Sequence, residues 1–129
     1  GRGMKQLTGR ENYSKYWVYR GWLDASTFTS PWWNPARPAR APTINDPQRL
    51  STDAYAAIDA GGWYWEAGSA QNQFRTINNA ITGNVIDRAS VRTVAVAING
   101  VNRSTGDPNG LAERLRETES AGRVLTDQI

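Results

Sequence analysis

Four polar side chains crowd the start of the chain: Gln6, Thr8, Asn12 and Tyr13, within Gly1-Arg2-Gly3-Met4-Lys5-Gln6-Leu7-Thr8-Gly9-Arg10-Glu11-Asn12-Tyr13. Amide, hydroxyl and phenol groups at this density can hold a polar ligand by hydrogen bonds. The glycines between them allow positive φ or a close backbone approach. A second polar group stands near the other end, at Asn99-Gly100 and then Asn109, Glu113 and Arg114. What these groups can do is bounded by two absences. The chain has no histidine and no cysteine, which removes the commonest general base, the Ser–His and Cys–His nucleophile pairs, disulfides and most zinc sites. Acid–base work therefore falls to carboxylates, lysine or tyrosine, and nothing calls for a metal or a cofactor. Each polar group also has a plainer reading. The first is a Gly-rich turn before a surface helix, and Arg114 is a solvated surface arginine.

Several elements must position these groups. A length of 129 residues supports one small domain with a modest core. After the opening stretch, Tyr13, Tyr16, Trp17 and Arg20 fall at helix-face spacing, predicting a helix from near Asn12 to about Gly21 with most of its rings in the core. Residues 31–47 carry prolines at a density that excludes helix and central strand. Trp32 and Trp33 in this extended loop either fold back as a plug or form a stacking platform for sugar rings. Asp46-Pro47 reads as a helix start, followed by a stripe of Leu50, Ala54, Ala57, Ile58, Gly61 and Trp65 on one helix or on two broken near Ser51.

Further on, Phe74, Ile77 and Ile81 suggest a short helix capped by Gly83, with Asn72, Asn78 and Asn79 as caps and turn formers. Asp87 can cap the segment Arg88 to Ile98, whose apolar residues fit either a helix or an alternating strand. Asn109 can cap a last helix with the stripe Leu111, Leu115, Thr118, Ala121 and Leu125.

The exact strings add to this reading. The opening stretch resembles the "RGRG-x-x-QLTGR-x-NY" segment of glycoside hydrolase family 19, the chitinase and lysozyme-like hydrolases. Ala97-Ile98-Asn99-Gly100 followed by Asn109-Gly110-Leu111-Ala112-Glu113-Arg114 resembles that family's "INGG…NGLADR" signature. The two lie in the same order, with an aromatic helix between them, and Gly61-Gly62-Trp63-Tyr64-Trp65-Glu66-Ala67-Gly68 resembles its "SAGWFW…G" core helix. The resemblance implies a mainly α, lysozyme-like helical domain and decides for helix over Arg88 to Ile98. In the family about half of the fold precedes the first motif. The chain, opening at Gly1 with Met4 inside the motif, is thus expected to be the C-terminal portion of a larger hydrolase domain, whose N-terminal half is its partner.

The family cleaves glycosidic bonds by the inverting scheme, with one glutamate as acid and another activating water. Both are expected upstream of Gly1. Glu11, Glu66, Glu113, Glu117 and Glu119 match no catalytic position. The resemblance implies supporting roles here. Thr8 helps hold the attacking water, and Gln6, Asn12 and Tyr13 bind the N-acetylated sugar. Asn99 and Gly100 meet the sugar near the cleavage point, and Arg114 pairs with a catalytic carboxylate. Two departures stand out: Val101 where relatives have a second glycine, and the longer insert Arg103-Ser104-Thr105-Gly106-Asp107-Pro108.

The substrate is expected to be a β-1,4-linked N-acetylated glycan, chitin or peptidoglycan. The net charge of +3 leans towards the anionic cell wall. That leaning fits a lysozyme-type endolysin, or a wall-degrading toxin delivered to the periplasm of a target bacterium and opposed by an immunity protein. The sequence shows no signal peptide and no membrane-length apolar run. Rival readings are a non-catalytic glycan binder, an interaction module using the Pro/Trp loop, and a nucleic-acid binder, which has charge alone in its favour.

Overall fold

The structure, a computed structural model, describes residues 1–3, 5–36, 39–67 and 76–127. The protein is mainly α. Its α-helices are α1 (Arg10–Tyr19), α2 (Arg49–Thr52), α3 (Ala54–Ala67), α4 (Arg88–Asn99) and α5 (Leu111–Leu125), with single 3-10 turns at Ala25–Thr27 and Ile77–Ala80. No strand occurs among the described residues, only an isolated bridge between Arg2 and Leu7. Among the same residues no helix is long and apolar enough to cross a membrane. The chain forms two compact units, Gly1–Tyr64 and Trp65–Ile129.

The first unit is organised by the aromatic face of α1. Tyr13, Tyr16 and Trp17 are buried with Leu7, Phe28, Leu50, Ala56, Ala60 and Tyr64. Tyr16 and Trp17 meet edge to face at 5.8 Å between centroids, a favoured geometry for ring quadrupoles. Helix α1 stops as expected near Gly21, which takes φ +70. Its N–H reaches the Val18 carbonyl, Trp22 N–H reaches that of Trp17, and the rings of Trp17 and Trp22 pack at 5.2 Å. These are the paired bonds and the apolar contact of a Schellman stop. Tyr16 Oη donates to Asp59 Oδ2 at 2.8 Å, and Arg20 Nη1 reaches the same oxygen at 3.0 Å. Burial, then this hydrogen bond to a carboxylate, push the Tyr16 hydroxyl's pKa well above its ordinary value.

Two expectations fail in this unit. Asp46 does not cap a helix: it takes φ +49, and α2 starts later, with Gln48 at the N-cap. The break between α2 and α3 falls at Asp53, whose Oδ1 accepts from Ala56 N–H at 3.1 Å and starts α3 instead. The buried stripe of α3 is also displaced. Ala56, Ala60 and Tyr64 face the core, whereas Ile58 is 62% exposed. Small residues recur on every face of this helix, so spacing alone does not select the face that α1 covers.

The second unit is smaller in its core. Ile77, Ala80, Val91, Ala95, Ala97 and Leu111 are buried, and α4 packs against α5 and the Ile77–Ala80 turn. Asp87 caps α4 as expected. Its Oδ1 accepts from Ser90 N–H at 2.8 Å and the Ser90 hydroxyl returns a bond to Asp87 N–H, a reciprocal capping box. Gly100, at φ +73, ends the helix.

Other expectations for this unit are corrected. Gly83 caps nothing, since the 3-10 turn ends at Ala80 with Ile81 as its cap; Phe74 and Asn72 lie outside the described residues. Asn78 is used instead as a side-chain partner, its Oδ1 accepting from Trp65 Nε1 at 2.6 Å. Helix α5 begins after Gly110, at φ +70, and not on an Asn109 cap. Only Leu111 of its stripe is buried, Leu115 is half-buried and Leu125 is 84% exposed.

Candidate functional site

Each motif builds a concavity within its own unit. At the start of the chain, Arg2 and Leu7 exchange both backbone hydrogen bonds, at 3.2 and 2.9 Å. The reversal between them needs positive φ at Gly3 (+71) and Gln6 (+56). Gly3 is required there for a second reason. A Cβ on it would lie 3.2 Å from the Ala57 and Leu50 carbonyls, so no side chain fits without displacing helix backbone. Leu7, buried, anchors the loop to the core.

The polar side chains of this loop are partly spent on holding it. Gln6 Nε2 donates to the Gly3 carbonyl at 2.9 Å, Thr8 Oγ1 to that of Gln6 at 2.8 Å, and Asn12 Nδ2 to that of Thr8 at 2.8 Å. With its proton committed, the Thr8 oxygen meets any water or ligand as an acceptor. Gln6 and Asn12 likewise present their amide oxygens and a second N–H. Tyr13 is buried, and its Oη accepts from Arg2 Nη1 at 3.4 Å. Arg2, Gly9, Arg10 and Tyr13 line an open concavity of about 580 Å³ with Ala41 to Ile44 and Pro47. Thus of the four polar residues singled out in the sequence only Tyr13 lines it, and the two arginines were not among them.

The Pro/Trp loop is irregular over residues 31–36 and 39–45. Trp17 Nε1 donates to the Asn45 carbonyl at 3.1 Å, fixing the loop wall on α1. Trp32 and Trp33 meet edge to face at 6.1 Å; Trp32 is half-buried beneath the Arg10 guanidinium, 5.4 Å from its ring, and Trp33 is 58% exposed. One tryptophan is therefore part plug and its neighbour is free to stack.

Glu11 is the buried carboxylate of this unit. Its Oε1 accepts from Ser30 Oγ and lies 3.4 Å from Lys15 Nζ, and its Oε2 is buried without a partner among the described residues. These contacts tie α1 to the loop.

In the second unit Asn99, Gly100, Val101, Asn102, Asn109 and Arg114 line a polar concavity of about 300 Å³, at the small end of the range for ligand pockets. Asn102 Nδ2 donates to Asn109 Oδ1 at 2.9 Å, closing one side. Arg114 Nε donates to the Asn109 carbonyl at 3.2 Å, and no carboxylate pairs with Arg114 among the described residues. That backbone carbonyl offsets the unfavourable placement of a cation in the first turn of α5.

The insert is tied down: Asp107 receives Arg92 Nε at 2.6 Å and Arg88 Nη2 at 2.8 Å. The hydrogen bond from Arg92, then the charge of Arg88, hold its carboxyl below the usual aspartate range. Glu66, exposed, accepts from Asn78 Nδ2 at 3.4 Å and faces neither concavity's lining. Sequence reasoning missed Asn102, for which the only signal was an amide beside the Asn99-Gly100 helix stop. No family model, curated protein or solved structure matches the chain.

Proposed function

We propose that the chain is the substrate-holding portion of an inverting glycoside hydrolase of the family 19 type. It would act on β-1,4-linked N-acetylated glycan, most readily bacterial wall glycan, as the wall-degrading part of an endolysin or of a toxin delivered to a target cell. One observation carries most weight: Asn99-Gly100 and Asn109…Arg114, quoted above as a single signature, line one polar concavity in the second unit. Amides and a guanidinium around a buried glycine suit the hydroxyl and acetamido groups of a sugar. The Thr8 oxygen, left as an acceptor, is suited to orient a water. On this reading the acid and base glutamates are supplied from outside the chain, with Arg114 available to pair with one of them.

The test is an amide chemical-shift titration of the chain with the β-1,4 tetramer of N-acetylglucosamine. Shifts should concentrate at Thr8, Asn12, Asn99, Gly100 and Asn109, and Asn99→Ala should weaken binding by about tenfold, the loss of a ligand hydrogen bond or two. Absence of binding, or shifts confined to the exposed face around Tyr19 and Tyr55, would overturn the proposal. A purely binding role is separated from hydrolysis by supplying the chain with a segment that carries the two expected glutamates and following the clearing of a peptidoglycan suspension. A hydrolase clears it and a binder does not.

A further inference from the structure

The open concavity of the first unit has a chemistry of its own. Two arginines, Arg2 and Arg10, line it together with Tyr13, and none of its lining residues is acidic. Neither arginine is ion-paired among the described residues. Their side chains contact aromatic residues instead. Arg2 Nη1 donates to Tyr13 Oη at 3.4 Å, which frees the phenol's own proton for another acceptor, and Arg10 rests over the Trp32 ring.

The facing wall is mostly apolar, with Thr43 its one polar side chain. Pro42 is buried, Ile44 and Pro47 are half-buried, and the two prolines have no N–H to offer. Beyond the cations and the phenol, a ligand in this concavity meets few other donors. Unpaired guanidiniums beside such a wall are suited to a planar anion, which they can grip bidentately. They offer a neutral sugar no comparable gain.

We infer that this concavity is a carboxylate subsite, and that its ligand is the carboxyl of the lactyl-peptide substituent on wall glycan. This inference rests on the glycan reading above and narrows it. Of the two polymers, chitin is neutral and carries nothing for Arg2 and Arg10 to hold, whereas every second sugar of wall glycan bears a peptide, amide-linked through the lactyl group, whose own carboxylates remain ionised. The two arginines are then specificity-determining residues, and the chain prefers peptidoglycan over chitin by contacts outside the sugar ring.

Calorimetric titration of the chain with three probes tests it: a disaccharide muropeptide with free carboxylates, the same muropeptide with its carboxylates amidated, and the N-acetylglucosamine tetramer. Amidation should weaken the muropeptide by about tenfold, and Arg2→Gln or Arg10→Gln should each weaken the free acid by a similar factor, of the order of one charge-assisted hydrogen bond. Binding of the neutral tetramer should be unchanged in both variants. Equal affinity for free and amidated muropeptide would overturn the carboxylate subsite, and this arm needs no variant. If the tetramer still binds in that case, the glycan reading survives alone. If no probe binds, both fall together. Displacement of the muropeptide by inorganic phosphate at a comparable concentration would make this a phosphate site and overturn the assignment.

Discussion

The two units hold themselves together by different means. Gly1–Tyr64 buries large rings: Trp17 and Tyr16 are its largest fully buried side chains, and Trp22 and Trp63 lie within 6 Å of Tyr16 between ring centroids. Among its described residues Trp65–Ile129 buries alanines, a valine, an isoleucine and a leucine, and it relies on polar ties: the Asp87–Ser90 box, the Gly100 stop and the clamp of Arg88 and Arg92 on Asp107. The difference shows two ways to hold a polar concavity in shape. Buried aromatic area supports long loops such as 31–47, because many dispersion contacts oppose the entropy of ordering them. A unit with little buried apolar area among its described residues keeps its loop ordered by caps within one turn and by ion pairs 15 and 19 residues apart.

The comparison can be broken most directly at Trp17. Trp17→Ala should cost about 3–5 kcal/mol, the usual price of emptying a large core site, and hydrogen exchange should accelerate across residues 1–64 first. A loss below about 1 kcal/mol would mean that the ring cluster is not what holds this unit.

Overpacking probes the other side. Ala97 is fully buried, and Ala97→Leu should destabilise the second unit by about 1–3 kcal/mol in chemical denaturation. If it is tolerated, α4 packs more loosely than its burial indicates. Tyr16→Phe sharpens the contrast, since it keeps the ring and removes only the hydroxyl's contacts with Asp59 and the Ala56 carbonyl. It should cost about 1 kcal/mol, well below Trp17→Ala.

The smallest effect is expected at Asp107. Its pKa is depressed in the folded protein, so its contribution is full above the unfolded aspartate value of about 3.9. That contribution is lost as pH falls through the lower folded value. Asp107→Asn should therefore lower the melting temperature at neutral pH, and the gap from the parent protein should close in acid. A gap independent of pH would show that the clamp is not electrostatic.

Much of the helical punctuation was legible beforehand. The aromatic run of α1, its stop at Gly21, the Asp87 cap and the end of α4 at Gly100 all follow from side chains acting on backbone within a turn of themselves. The faces were less legible. Ile58 and Leu125 sit on plausible stripes yet are exposed, while Ala56 and Ala60, which carry little periodic signal, are buried. The candidate site divides the same way. Asn99, Gly100, Asn109 and Arg114 were singled out by the resemblance of their strings to a family signature, and they stand around one helix stop and one helix start. Arg2 and Arg10 were passed over because the wall opposite them, Pro42 to Pro47, comes from some thirty residues further on.

What the sequence determined by itself was therefore the mainly α character, the stop of α1, both ends of α4, and the reactive groups that are missing. Caps, positive φ and the absence of histidine and cysteine depend on residue type and near neighbours alone. Only the tertiary structure decided which helix faces are buried and which cations share a concavity. Burial and unpaired charge depend on what packs opposite, and that partner is set by long-range contacts which no local pattern encodes.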